Sequence, residues 1–164
     1  MGTTRAVKPL RLSWQIFGAK ANELAKEVER ELSGGGRPDL IVGIARGGVP
    51  VAQVIADRLE IKMDIIRVKS YTGINERGEP AILSGLVDSV GDKRVLVVDD
   101  LVDEGHTLAA VVRHIKGEGA SDVKTAVLFK KPWTTFEPDF VMAETNRWIV
   151  FPWDKGEYKR LSRK

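Results

Sequence analysis

The chain has 164 residues, 43% hydrophobic and 30% charged, which suits one soluble domain with a sizeable core. It contains no cysteine and only two histidines, so disulfides, thiol chemistry and Cys- or His-rich metal sites are excluded. The net charge of +3 comes from dispersed basic residues, and neither an apolar run of about 18 residues nor a signal-peptide core is present. We therefore expect a cytoplasmic protein without a nucleic-acid or membrane partner.

The N-terminal half alternates between helical and extended patterns. Ser13 is a predicted N-cap, and the apolar residues after it recur at helical spacing until the glycines at 34–36. Pro50 suits the first turn of a second helix. The predicted elements are a helix from Ser13, a buried strand at 39–44, a glycine-containing loop at 45–49, a helix from Pro50 and a strand at 62–68.

The C-terminal half opens with a long polar connection at 69–92, which is typical of a functional lid or a disordered segment. The Val-rich residues 94–98 form the strongest predicted strand, and a helix is predicted at 108–115. Further strands are predicted at 124–129, 140–143 and 148–150. This alternation predicts an α/β fold with a mainly parallel central sheet flanked by helices. Ligands bind such sheets beyond the carboxyl ends of the strands, so we expect the loops at 45–48, 69–92 and 99–107 to converge.

The loop predicted at 99–107 carries two features that suit a sugar phosphate. Asp99 and Asp100 follow a buried strand, and paired carboxylates can accept hydrogen bonds from the 2- and 3-hydroxyls of ribose. The glycine-bearing turn that follows ends at Thr107 and leads into a helix, where backbone N–H groups form an anion site. Each feature alone is also ordinary turn or cap chemistry, but their combination after an apolar strand favours a ribose phosphate site.

Residues 95–107 resemble the thirteen-residue signature of type I phosphoribosyltransferases. The resemblance implies that 5-phosphoribosyl 1-pyrophosphate and Mg²⁺ bind, and that a base nitrogen displaces pyrophosphate from ribose C1. It assigns Asp99 and Asp100 to the ribose hydroxyls and the metal. It assigns the 5-phosphate to a segment that we call the phosphate loop, made of Asp103, Glu104, Gly105, His106 and Thr107. Glu104 departs from the family pattern, in which Thr or Ser usually stands at this position. A carboxylate there is unfavourable, because it would lie beside the negatively charged phosphate.

The resemblance also indicates which base is the acceptor. An acid at Asp103 is typical of family members that use 6-oxopurines, and its carboxylate near N7 can take the base proton as a catalytic group. Residues 148–154 resemble the base-binding hood of xanthine–guanine phosphoribosyltransferases, which implies stacking on Trp148 and base contacts from the carbonyls of Trp148 and Ile149. Asp154 is then expected near the base and the metal. Trp153 is expected in the core.

In the same enzymes a lysine donates a hydrogen bond to purine O6. Lys131 matches that lysine, and Lys130 is the alternative if the register slips by one residue. An ammonium group reads a carbonyl and rejects an amino group, so this position separates oxopurines from adenine. The Arg46-Gly47-Gly48 segment resembles the first pyrophosphate loop, in which relatives can have a cis peptide bond. Ser70 and Tyr71 resemble the Ser-Tyr of the mobile lid and are also assigned to pyrophosphate.

The resemblance covers about residues 12–156 and implies one domain over 1–164. Its expected parts are a core at about 37–131, a lid at about 69–92 and a hood at about 8–16 and 132–158. The expected function is purine salvage, with guanine, xanthine or hypoxanthine as the acceptor, in a dimer or tetramer. The alternatives are an adenine or pyrimidine phosphoribosyltransferase, or a non-catalytic regulator of the same fold that senses phosphoribosyl pyrophosphate or a purine.

Overall fold

The computed structural model describes residues 8–69 and 80–154. The elements are, in chain order, β1 (Leu10–Arg11), α1 (Trp14–Leu32), β2 (Leu40–Ala45), α2 (Gly48–Leu59), β3 (Met63–Lys69), β4 (Ala81–Ser84), β5 (Arg94–Val102), α3 (His106–Gly117), β6 (Asp122–Lys130), β7 (Phe140–Glu144) and β8 (Ile149–Val150). No helix in these two ranges is both long and apolar enough to cross a bilayer.

Six of the strands form one sheet in the order β4-β3-β2-β5-β6-β7. All neighbours in it are parallel except β3 and β4, which are antiparallel. The remaining strands, β1 and β8, pair in parallel as a separate small sheet. The predicted fold class, a mainly parallel α/β sheet flanked by helices, is therefore confirmed.

The central strand β5 is buried on both faces, because each face of the sheet is covered by helices. Leu96 and Val98 belong to the core cluster that includes α1 and α2, whereas Val95 and Val97 belong to the cluster that includes α3. Side chains of a strand alternate between the two faces, so one Val-rich run serves both cores. This sandwich holds the carboxyl end of β5 in a fixed position.

Helix α1 begins as the sequence predicts. Ser13 is the N-cap, and its hydroxyl accepts a hydrogen bond from the Ile16 N–H at 3.2 Å. The residues at helical spacing behind it are buried: Phe17, Ala21, Leu24 and Val28. The helix ends at Leu32, just before the glycines.

Two predicted boundaries differ from the structure because of pairing between distant strands. Strand β5 continues to Val102, so Asp99 and Asp100 lie within the strand and not in a loop beyond it. Its pairing with β6 extends that far, and Asp99 lies opposite Val127. The second half of the connection predicted at 69–92 contains an edge strand, β4, paired with β3.

Candidate active site

The acid pair lies at the carboxyl end of β5. The Asp99 carboxylate accepts a hydrogen bond from the Asp100 N–H at 2.9 Å, and both side chains are half-buried. Burial raises the pKa of Asp99, and the neighbouring charge of Asp100 raises it further. Burial also raises the pKa of Asp100, and the charge of Asp154 adds to that rise. Two carboxylates therefore lie close together in a partly buried site, and a bound cation would stabilise their charged forms.

The loop between β2 and α2 lies directly against these acids. A Cβ on Gly47 would overlap the Asp100 carboxylate, and a Cβ on Gly48 would lie 2.9 Å from the Asp99 Cα. Only glycine fits at either position without a shift of the backbone or the carboxylate. The Ala45–Arg46 peptide bond is cis, a geometry that the sequence alone did not indicate for this chain. The structure thus brings the predicted pyrophosphate loop and the predicted ribose acids together.

The phosphate loop ends where α3 begins. Gly105, the N-cap, has a φ of +97°, and a Cβ there would lie 2.5 Å from the Cβ of Phe136. Both the conformation and the space therefore require glycine. The first N–H groups of α3 have no partner within the helix, and together with the helix dipole they favour an anion.

Glu104, the residue that departs from the family pattern, extends into solvent. Its side chain is 73% exposed, and its carboxylate lies 3.4 Å from the imidazole of His106, which is 67% exposed. Its carbonyl accepts hydrogen bonds from the N–H and the hydroxyl of Thr135, at 3.2 and 2.9 Å. The backbone of Glu104 is thus anchored, while its carboxylate points into solvent beside the imidazole of His106.

Asp103, the first residue of the phosphate loop, lies near Lys131, whose backbone N–H donates to the carbonyl of Val102 at 3.0 Å. Lys131 is 5% exposed, and its ammonium group donates to the carbonyl of Arg147. Burial lowers the pKa of Lys131, and the charge of Asp103 partly offsets this. Lys130 instead pairs with Glu137 at 2.6 Å and with Glu144 at 3.6 Å. Consecutive lysines therefore have different surroundings, and Lys131 is the one that interacts with Asp103.

Trp133 joins this group, although the sequence reasoning did not select it. Its indole N–H donates to Asp103 Oδ1 at 2.6 Å, and the Lys131 ammonium lies 5.5 Å from its ring centroid. A tryptophan two residues beyond the selected lysine, in a polar segment, is the signal that could have identified it.

The residues of the predicted hood divide into exposed and buried groups. The Trp148 side chain is 59% exposed, whereas Ile149 is buried in β8. The Trp148 carbonyl already accepts a hydrogen bond from the Leu10 N–H at 2.7 Å, so one of its lone pairs holds β1 in place. Trp153 is half-buried and packs against the core where the sequence placed it, stacked on Phe151 with 4.9 Å between ring centroids.

Asp154 is the third predicted metal ligand and lies near the end of the described range. Its charge contributes to the raised pKa of Asp100. Within residues 8–69 and 80–154, no three His, Cys, Asp or Glu side chains are grouped as a metal centre. Ser70 and Tyr71 lie outside the described residues.

A parallel α/β sheet that carries an acid pair, a close glycine loop and a glycine-capped helix at one edge defines a class of proteins that bind sugar phosphates. A family model for the phosphoribosyl transferase domain matches residues 12–160, and this chain belongs to that family. The recognition of the family and the enzyme class expected from the sequence are thereby confirmed.

Three relatives illustrate the range of the family. The xanthine-guanine phosphoribosyltransferase of Cereibacter sphaeroides is 31% identical over 90% of this chain and 87% of its own length. The crystal structure of a purine phosphoribosyltransferase from Pyrococcus horikoshii is 36% identical, with a TM-score of 0.75 over 88% of this chain and 93% of that one. The bifunctional protein TilS/HprT of Listeria monocytogenes is 36% identical over 77% of this chain, which spans only 20% of that relative's length.

Proposed function

We propose that this protein transfers the 5-phosphoribosyl group of phosphoribosyl pyrophosphate to a 6-oxopurine, giving the nucleoside monophosphate and pyrophosphate. The observation that carries this proposal is the convergence of three parts at the carboxyl ends of β2, β5 and β6. They are the acid pair, the loop between β2 and α2 that carries Gly47 (the Gly47 loop), and the neighbouring residues Asp103 and Lys131. Two of the relatives described above are named for transfer to purines, which supports a purine as the acceptor. We also infer a cytoplasmic enzyme that assembles as a homodimer or homotetramer.

In this proposal Asp99 and Asp100 bind the ribose hydroxyls and, with Asp154, lie beside Mg²⁺. Their carboxylate oxygens are the ligands that Mg²⁺ prefers, and a cation there would relieve the crowding that raises the pKa values of the pair. Bound Mg²⁺ would supply charge neutralisation for the diphosphate. Because the protein offers few ligands, oxygens of the substrate and water would complete the coordination.

The 5-phosphate is assigned to the phosphate loop and the first turn of α3. Gly105 lets the backbone turn so that N–H groups face the anion, and the Thr107 hydroxyl adds a donor. Arg46 and Gly47 are assigned to the diphosphate. Gly47 has no side chain, so the diphosphate can approach the backbone closely beside Asp100. Ser70 and Tyr71 are proposed to cover the diphosphate, and residues 8–16 and 132–158 to form the hood over the base.

The acceptor is assigned to Lys131, Trp148 and Ile149, together with Asp103. Lys131 donates to O6, the exposed ring of Trp148 stacks on the purine, and Ile149 contributes its carbonyl. As the base nitrogen bonds to C1, the C1–O bond to pyrophosphate breaks and the base loses a proton, which the Asp103 carboxylate accepts. A donor at O6 favours an oxopurine over adenine, because an amino group offers no acceptor there.

The test is turnover with phosphoribosyl pyrophosphate, Mg²⁺ and one base at a time: guanine, hypoxanthine, xanthine, adenine or orotate. We expect nucleotide formation with at least one of the three oxopurines and none with the other two bases. Turnover with adenine or orotate alone would contradict the assignment of a 6-oxopurine and identify that base as the acceptor instead. Tight binding of phosphoribosyl pyrophosphate without turnover of any base would favour a sensing role over catalysis.

A further inference from the structure

Trp133 contacts both residues that the proposed function assigns to the same edge of the purine. Its indole N–H donates to Asp103 at 2.6 Å, and its ring faces the Lys131 ammonium. The side chain is nevertheless 52% exposed, so burial in the core does not explain its position. Indole is a donor without an acceptor, so Trp133 itself cannot take a proton from a base.

The segment that carries Trp133 is anchored without it. The N–H and the hydroxyl of Thr135 both donate to the Glu104 carbonyl, and the Thr134 N–H donates to the Lys131 carbonyl. Phe136 packs against Gly105 so closely that a Cβ on that glycine has no room. Removal of the indole N–H therefore takes away one contact with Asp103 and leaves the rest of the segment in place.

We propose that Trp133 is a positioning residue for base transfer: its indole N–H holds one oxygen of Asp103 while its ring holds the ammonium of Lys131. This inference rests on the proposed function. A carboxylate has two oxygens, so with Oδ1 held by the indole, Oδ2 is left for the proton near N7. Purine O6 and N7 are neighbours, so the lysine that reads O6 and the acid near N7 need a fixed separation. Trp133 touches both and sets that separation.

Trp133→Phe is the discriminating variant, because it keeps an aromatic ring beside Lys131 and removes the N–H. We expect kcat with an oxopurine to fall about 10- to 100-fold, the range that corresponds to the loss of one hydrogen bond to a charged group. The KM for phosphoribosyl pyrophosphate should change less than about twofold. Trp133 contacts only the Asp103 side chain of the phosphate loop, and the loop backbone stays held through Thr135 and Phe136. Trp133→Leu, which also removes the ring, should in addition raise the KM for the base.

A double-mutant cycle tests whether Trp133 acts through Asp103. In an Asp103→Ala background the acceptor is gone, so Trp133→Phe should change the residual rate by less than about twofold. Equal losses in both backgrounds would indicate a structural role and overturn the inference. Unchanged turnover of Trp133→Phe beside an active wild type would overturn it as well. A wild type that turns over no oxopurine would overturn the proposed function, and the positioning role with it.

The contact can also be measured without turnover. The indole ¹H–¹⁵N signal of Trp133, assigned by its loss in Trp133→Phe, should shift in Asp103→Ala and exchange faster with solvent. The indole of Trp14 is a matched control, because it is 60% exposed and its ring neighbours are Phe17 and Trp153. An unshifted Trp133 signal would show that the hydrogen bond is absent in solution and would overturn the inference.

Discussion

The carboxylate of Asp100 occupies the space that a Cβ of Gly47 would need. The two residues are far apart in sequence and meet because β2 and β5 are adjacent parallel strands, with Gly43 opposite Val98. The loop that leaves β2 therefore crosses directly over the acids at the end of β5. The proposed diphosphate and ribose sites are therefore in direct contact, and a substitution in one should alter binding at the other.

Gly47→Ala should displace either the loop or the Asp100 carboxylate. We expect the KM for phosphoribosyl pyrophosphate to rise at least about tenfold, with a loss of about 1–3 kcal/mol in the free energy of unfolding from overpacking. Steady-state kinetics and urea unfolding would measure the two effects. Gly18→Ala is the matched control, because apart from its chain neighbours and the adjacent backbone of α1 no atom lies within 4 Å of its added Cβ. Alanine also has a higher helix propensity than glycine. Similar kinetics for Gly47→Ala and the wild type would contradict the close contact.

Asp103→Asn tests the proton-accepting role with little change in shape. The amide oxygen can still accept the indole hydrogen bond of Trp133, so we expect the local structure to persist. Turnover should fall by about 10²–10⁴-fold, the range for loss of a general base, while phosphoribosyl pyrophosphate binds nearly as before. Stopped-time nucleotide assays and isothermal titration would measure these quantities. A rate equal to that of the wild type would remove the proton role of Asp103.

The two neighbouring lysines form a natural comparison. Lys131→Ala should raise the KM for the oxopurine far more than that for phosphoribosyl pyrophosphate, because its ammonium group lies beside Asp103. Lys130→Ala should leave both values within about twofold, because Lys130 pairs with Glu137 and Glu144. The reverse order of effects would assign O6 to Lys130. An equal rise in the KM values of both substrates in Lys131→Ala would indicate that Lys131 has a structural role.

The ion pair between Asp39 and Arg94 predicts how stability depends on pH. Hydrogen bonds from Arg94 lower the pKa of Asp39 to about 2, below its ordinary value of 3.8. The charged form is therefore favoured by folding, and this contribution is present above pH 3.8 and is lost as the pH falls toward 2. Asp39→Asn should lower Tm at neutral pH, and the difference from the wild type should shrink below pH 4. A Tm difference that stays constant down to pH 2.5 would contradict this linkage.

The sequence by itself determined the features that depend on neighbouring residues. The N-cap at Ser13 and the burial of Leu24 follow from local spacing, and the Val-rich run predicted the central strand. The acids, the glycines and the turn before α3 lie in one short motif or beside one strand. The family could therefore be recognised from residues that are close in the chain, and the family match bears this out.

Only the tertiary structure decided the features that depend on distant partners. Strand β5 runs on through Asp99 because β6 supplies hydrogen bonds beside it, although acidic residues usually end a buried strand. Lys130 and Lys131 have the same chemistry, and their surroundings differ because one faces two glutamates and the other reaches the carbonyl of Arg147. The position of Trp133 beside Lys131 is visible in the sequence, but its hydrogen bond to Asp103 is not, because that bond joins segments thirty residues apart.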